Sequence, residues 1–197
     1  MSWIVRHRTL ELAGICMAMI LYGVECRAQA MALPASTQFP LFAKILSYDR
    51  NLDHRAKGGI VVGILYQGRF HLSLNGAEML LSAIQKGSVR TITGIPVRGV
   101  LVDIDGVENL EGVVASSGAN VLYVAPLRAI DIGSIRTICK RMKILSMTGV
   151  PEYVEEGIAL GIDITDDRPL IMINLRAAVE GGSDLSSQVL KVARIIQ

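Results

Sequence analysis

Cysteine, histidine and aromatic residues are scarce in this chain of 197 residues, which has three cysteines, three histidines and one tryptophan. Cys16 and Cys26 fall in the first thirty residues, a segment that reads as removable, so Cys139 stands alone in the rest. A lone cysteine excludes an internal disulfide framework, and stability has to come from packing. Cys139 sits in the helical-looking stretch 135–142, where a small apolar core role is expected rather than a reactive thiol. His54 and His71 are isolated, and neither has metal-ligand spacing with Cys, Asp or Glu. No serine occupies a G-x-S-x-G elbow. Gly58-Gly59 precede a strand rather than a helix, so they make no phosphate loop. No catalytic residue, metal or cofactor is therefore expected.

Charge of one sign is also lacking. The formal net charge is +2, and loss of Arg6, Arg8, Glu11, Glu25 and Arg27 with the first thirty residues leaves the remainder close to neutral. Without a lysine-rich tail or a basic stripe, no nucleic-acid partner is expected. Hydrophobic runs long enough to cross a bilayer are missing too. The longest, Leu12–Val24, falls short of the roughly 20 residues a spanning helix needs.

What is present at the N-terminus is the tripartite pattern of a secretory signal peptide: a basic head (Arg6, His7, Arg8), the apolar run, and small residues at Ala28 and Ala30. Cleavage after Ala30 is expected, with direct membrane insertion excluded afterwards. Val24-Glu25 before Cys26 do not suit lipidation, which wants small uncharged residues there. The domain organisation is then a signal peptide over 1–30 and one domain over 31–197.

That domain alternates strand and helix. Residues 31–38 read as a loose lead-in, and apolar spacing in Pro40–Tyr48 predicts a helix with Pro40 in its first turn. Asp49–Gly59 reads as a loop. Gly59–Tyr66 is a β-branched run suited to a strand covered on both faces. A helix follows over Leu74–Ile84, then extended pieces at Val89–Ile92 and Val97–Ile104, interrupted by Gly94 and Pro96, which suggest a sheet edge. Next come a helix over Val107–Val114, a strand at Val121–Ala125, a helix over Ile130–Lys143 and a strand at Ile144–Met147. Ile158–Ile164 and Leu170–Asn174 form an antiparallel hairpin about Thr165–Pro169. Leu185–Ile196 has helical spacing, with Ser183 or Asp184 available as a cap. The predicted fold is α/β: a mostly parallel sheet with helices on both faces and a C-terminal antiparallel hairpin.

One enzymatic signal invites comparison. Val100–Val107 is a hydrophobic strand ending in Asp103-Ile104-Asp105-Gly106, and this resembles the nucleophile motif of haloacid-dehalogenase-type phosphatases, whose two aspartates hold Mg²⁺ and act as nucleophile and acid/base. The family's later lysine has no counterpart in order until Lys191, and Asp166-Asp167 sit in a hairpin turn. The plainer reading is favoured: Asp103 and Asp105 form a solvated turn, with Asp105 near the cap of the next helix. Arg98, Arg128 and Arg168 sit at strand ends or loops, where anion binding and surface solubility explain them equally.

A more specific pattern runs from Val107 to the C-terminus. Val107-Glu108-Asn109-Leu110, Asn120–Val124, Ile144–Tyr153, Gly157–Leu160, Ile171–Ala178 and Ser186–Ala193 occur in the order of the YfiR-like (HmsC-like) periplasmic proteins, which the chain resembles over about half its length. Within those blocks, Asn174 can hydrogen-bond backbone at the strand exit, and Ala177-Ala178 allow a helix to approach the sheet. The resemblance implies a non-enzymatic periplasmic regulator that restrains the sensor domain of an inner-membrane diguanylate cyclase and so lowers cyclic-di-GMP output and biofilm formation. A histidine kinase is an alternative partner, and relatives form dimers. The disulfide cysteines of the best-known member are missing here, so redox control is not carried over.

Two other functions compete. Open parallel sheets bind ligands beyond their C-terminal strand ends, so a small-ligand module would use the loops at Gln67, Gly68, Asp105-Gly106, Ala125, Pro126, Thr148 and Gly149. The phosphatase would depend on Asp103.

Overall fold

The computed structural model describes residues 31–196; the signal-peptide segment 1–30 lies outside the described residues. Helix α1 spans Ala35–Leu46 and α2 spans Leu52–Ala56. Then come β1 (Ile60–Tyr66), α3 (His71–Lys86), β2 (Thr91–Ile92), β3 (Ile95–Asp103), α4 (Leu110–Ser117), β4 (Val121–Val124) and α5 (Ile132–Met142). The rest is β5 (Leu145–Thr148), α6 (Pro151–Glu155), β6 (Leu160–Thr165), β7 (Arg168–Asn174), α7 (Leu175–Glu180), α8 (Ser187–Leu190) and β8 (Arg194–Ile196).

The strands join one eight-stranded sheet in the order β2-β3-β1-β4-β5-β6-β7-β8. Strands β3, β1, β4, β5 and β6 run parallel to their neighbours, β2 is antiparallel to β3 at one edge, and β7 is antiparallel to β6. The β-branched runs of β1 and β4 are buried throughout apart from the last residue of β1, as strands with helices on both faces must be. The fold is the expected α/β architecture, including the C-terminal hairpin. Its tip is a two-residue turn in which Asp166 and Asp167 both take left-handed φ angles of 49° and 58°, the geometry that matches strand twist in tight hairpins.

The sheet separates two apolar layers. One collects Phe39, Phe42 and Leu46 of α1, Leu80 and Ile84 of α3, and Val189 of α8. The other collects Val114 of α4, Ile135 and Cys139 of α5, and Tyr153 of α6. Cys139 is 4 % exposed, and burial pushes its thiol up to about 12, so it behaves as an apolar core residue.

Local expectations shift in four places. Helix α1 begins within the expected lead-in, leaving Pro40 inside the helix rather than in its first turn. The expected loop 49–59 contains α2, which ends on Lys57 in the left-handed conformation. Asp105 does not cap α4; Asn109 does, its side chain accepting from Gly112 N–H. The expected final helix over Leu185–Ile196 is only the short α8, capped by neither Ser183 nor Asp184, and Arg194–Ile196 form β8 in parallel register with Met172–Asn174. The ladder along β7 outweighs the local helical spacing there.

Candidate functional site

In chain order the sheet grows from β1 outward to β3, then returns to β4 on the other side of β1. This reversal marks the carboxyl ends of β1 and β4, the place where open α/β sheets hold ligands. Four loops meet there: 67–70 after β1, 104–109 after β3, 125–131 after β4 and 149–150 after β5.

Gln67 and Gly68 are half-buried, and Gln67 bridges to the loop after β4. Its Oε1 accepts from Arg128 N–H at 2.7 Å and its Nε2 donates to Arg128 carbonyl O at 3.2 Å. Asp103 Oδ1 accepts from Gly68 N–H at 3.2 Å and Asp105 N–H at 3.0 Å. Asp105 Oδ2 accepts from Arg69 N–H at 2.6 Å. Both carboxylates of the Asp-x-Asp motif therefore bind backbone amides of the neighbouring loop. Beside them Tyr66, raised above its ordinary value by burial and then by the charges of Asp103, Glu78 and Asp105, stays neutral.

Ala125, Pro126, Thr148 and Gly149 are all buried. Thr148 Oγ1 donates to Val124 carbonyl O at 2.9 Å and accepts from Val150 N–H at 3.1 Å. The Tyr153 hydroxyl accepts from Leu127 N–H at 2.8 Å and donates to its carbonyl O at 3.2 Å, and burial pushes that phenol up to about 12.

The chain's own N-terminal segment covers this end of β4 and β5. Ala32 N–H donates to Gly149 carbonyl O at 3.1 Å. Gln38, fully buried, donates from Nε2 to Leu33 carbonyl O at 2.5 Å and accepts from the Tyr123 hydroxyl at 2.9 Å. A Cβ on Gly149 would lie 2.3 Å from Gln38 Nε2, so glycine is what allows that close approach. Gln38 and Tyr123 were not foreseen as site residues. Gln38 fell in the expected lead-in, and a polar side chain drawn inward by one buried phenol leaves no periodic trace.

Gln67, Asp103 and Asp105 thus tie loop to loop at the surface, while Thr148 and Tyr153 do so in the interior. The rim faces outward: Arg69, His71 and Leu72 are exposed, and Arg128 lies 3.9 Å over the Phe70 ring. Leu72, 51 % exposed, and Met79, 43 % exposed, lie on α3 and are left open by the described residues. Of the other two arginines considered for anion binding, Arg98 is exposed on β3 at the opposite end of the sheet, and Arg168 is exposed at the hairpin tip. Among the described residues, no group of three or more His, Cys, Asp or Glu is placed to hold a metal, and no helix is long and apolar enough to cross a membrane.

A family model described as YfiR/HmsC-like matches residues 67–194. No curated protein sequence matches the chain. Among solved structures the fold is similar to the ABC domain from Streptococcus pneumonia in complex with L-Trp (TM-score 0.60, 15 % identity, covering 83 % of this chain and 62 % of that one). It is also similar to a conserved domain protein from Vibrio cholerae O1 biovar eltor (TM-score 0.56, 13 % identity, 83 % and 60 % covered). A third is the ligand-free, open structure of CD0873, a substrate binding protein with adhesive properties from Clostridium difficile (TM-score 0.50, 16 % identity, 75 % and 57 % covered). The chain spans about six-tenths of the length of these solved chains, and the likeness is one of fold.

Proposed function

Because the chain belongs to the YfiR/HmsC-like family, we propose that it acts by binding the periplasmic sensor domain of an inner-membrane signalling protein, a diguanylate cyclase in the first instance, and restraining its output. The family is periplasmic and regulatory, and its members interact with a partner protein. The observation that carries this reading is the family match itself, which takes in every strand-end loop from Gln67 to Gly149. Asp103 and Asp105 each hold a backbone amide of the loop after β1, which supports a loop-bracing role for them in this reading. Exposed Leu72 and Met79, next to the Arg128–Phe70 stack, give that contact an apolar centre with a basic border. In this reading cyclic-di-GMP output and biofilm formation fall when the contact forms, and a homodimer is the form that engages the sensor.

Affinity capture from solubilised membranes tests it, comparing the protein with Leu72→Glu. Position 72 lies in the first turn of α3, where an acid suits the helix dipole, so the fold should tolerate the change. The expected result is recovery of a diguanylate cyclase or histidine kinase by the unaltered protein and its loss with Leu72→Glu. Recovery of no sensor protein, or equal recovery by both, overturns the reading.

A further inference from the structure

The amino ends of the central strands carry a second concavity, at the opposite end of the sheet from the loops above. Helix α4 packs against β3. It ends at Ser117, turns through Gly118 at φ 67°, and brings Ala119 so close to β1 that a Cβ on Gly63 would lie 2.8 Å from the Ala119 Cβ. Below that turn Val61 and Arg98 pair in register, and Arg98 is exposed. The result is a cavity of about 570 Å³, lined among others by Arg55, Lys57, Gly58, Gly59, Arg98 and Asn120. The Asn120 amide fixes its wall, accepting from Val61 N–H at 3.0 Å and donating to Gly59 carbonyl O at 2.8 Å.

The lining holds three cations and no carboxylate. Arg55 is neutralised by buried Asp49 at 2.7 Å and also donates to Gly182 carbonyl O at 3.3 Å. Its side chain is only 8 % exposed, yet its Nε is buried with no hydrogen-bond partner among the described residues. That donor is enclosed and offers nothing to the cavity, so Arg55 acts as a neutralised wall. The side chains of Lys57 and Arg98 have no ion pair or hydrogen bond among the described residues. Two uncompensated positive charges therefore remain in the lining. That is the complement of a dianion.

We propose that this cavity binds the dianionic phosphate of a small phosphorylated molecule, with Lys57 and Arg98 as the charged contacts and the Asn120 amide holding the wall between them. Its volume falls in the range of small-molecule sites and leaves room for an organic group beyond the phosphate. The proposal is independent of the partner surface on α3, which is at the other end of β1.

Calorimetric titration of the protein at constant ionic strength tests it, with glycerol 3-phosphate, inorganic phosphate and phosphatidylglycerol vesicles as separate probes. Arg98→Gln and Lys57→Asn are the variants, asparagine being tolerant of the left-handed φ of 43° at position 57. Saturable 1:1 binding of glycerol 3-phosphate is expected, weakened about tenfold or more in each variant as one charge-assisted hydrogen bond is lost. Binding should be tighter at pH 8 than at pH 5.5, because the second phosphate ionisation lies near pH 6. Comparable binding of inorganic phosphate with the same variant pattern identifies the free ion as the natural source and supports the site. No saturable binding, equal binding by the variants while their melting temperatures match the parent, or binding to vesicles alone overturns it.

Discussion

Asn174 joins three segments through one residue. Its backbone N–H donates to Ala159 carbonyl O at 2.9 Å, its Oδ1 accepts from Ala177 N–H at 3.0 Å to cap α7, and its Nδ2 donates to Val154 carbonyl O at 3.0 Å. The side chain is buried, so removing it leaves the Ala177 amide without its acceptor, whereas Val154 carbonyl O keeps Gly157 N–H at 3.2 Å. Asn174→Ala is expected to cost about 1–2 kcal/mol, chiefly the lost cap. Urea unfolding checks this; a loss below about 0.5 kcal/mol would mean that water replaces the side-chain acceptor. The strand-exit role of Asn174 was legible because asparagine at the end of an apolar run has few other uses. The bonds made by Gln38, Thr148 and Tyr153 were not, since each depends on a partner distant in the chain: Tyr123, Val124 and Leu127 respectively.

Between elements, one carboxylate does most of the fastening at the α5–α7 contact. Glu180 of α7 receives Arg136 Nη2 at 3.0 Å and Lys140 Nζ at 3.1 Å from α5, and Arg176 Nε at 3.3 Å from its own helix. The Arg136 hydrogen bond first, then that of Lys140, hold its carboxyl down to about 2. A depressed carboxylate stabilises the fold in full above its unfolded value near 4.3 and loses that contribution as pH falls towards the folded value. The stability difference between the parent and Glu180→Gln is therefore expected to shrink steadily between about pH 5 and pH 2. Denaturant titrations across that range check it, and a constant difference would remove Glu180 as an acid-sensitive fastener. The elements themselves were legible where a run of β-branched residues or a long amphipathic period dominated, as in β1, β4, α3 and α5. They were not legible where an element is a few residues long. Helix α2 is five residues, and α8 with β8 replaces a single expected helix because Ile195 and Ile196 gain a ladder with Ile173 and Asn174. Val192, which lies between α8 and β8, is 66 % exposed.

At the scale of the whole molecule, Met31 and Leu33 are part of the packed domain, which bears on any cut beyond Ala30. Met31 packs against both apolar layers and its Sδ lies 3.4 Å from the Tyr123 hydroxyl; Leu33 packs on the α1–α3 side and supplies the carbonyl that Gln38 binds. A cut after Ala30 preserves all of these contacts, whereas a cut a few residues later would strip Met31 from the seam between the layers and leave the Gln38 amide without its acceptor. Cleavage after Ala30 is the boundary we propose from the Ala28–Ala30 pattern. The single tryptophan, Trp3, lies upstream of it, so the exported product is expected to carry tyrosine emission only and a mass beginning at Met31. Intact mass and fluorescence of protein released from the periplasm check this; tryptophan emission, or a mass that includes residues 1–30, would overturn it. Deleting Met31–Leu33 from that product is expected to cost about 2–4 kcal/mol, from the lost packing of two partly buried apolar side chains and one buried amide left unmatched. An unchanged unfolding midpoint would mean that the N-terminal segment rests on the strand ends without sealing them.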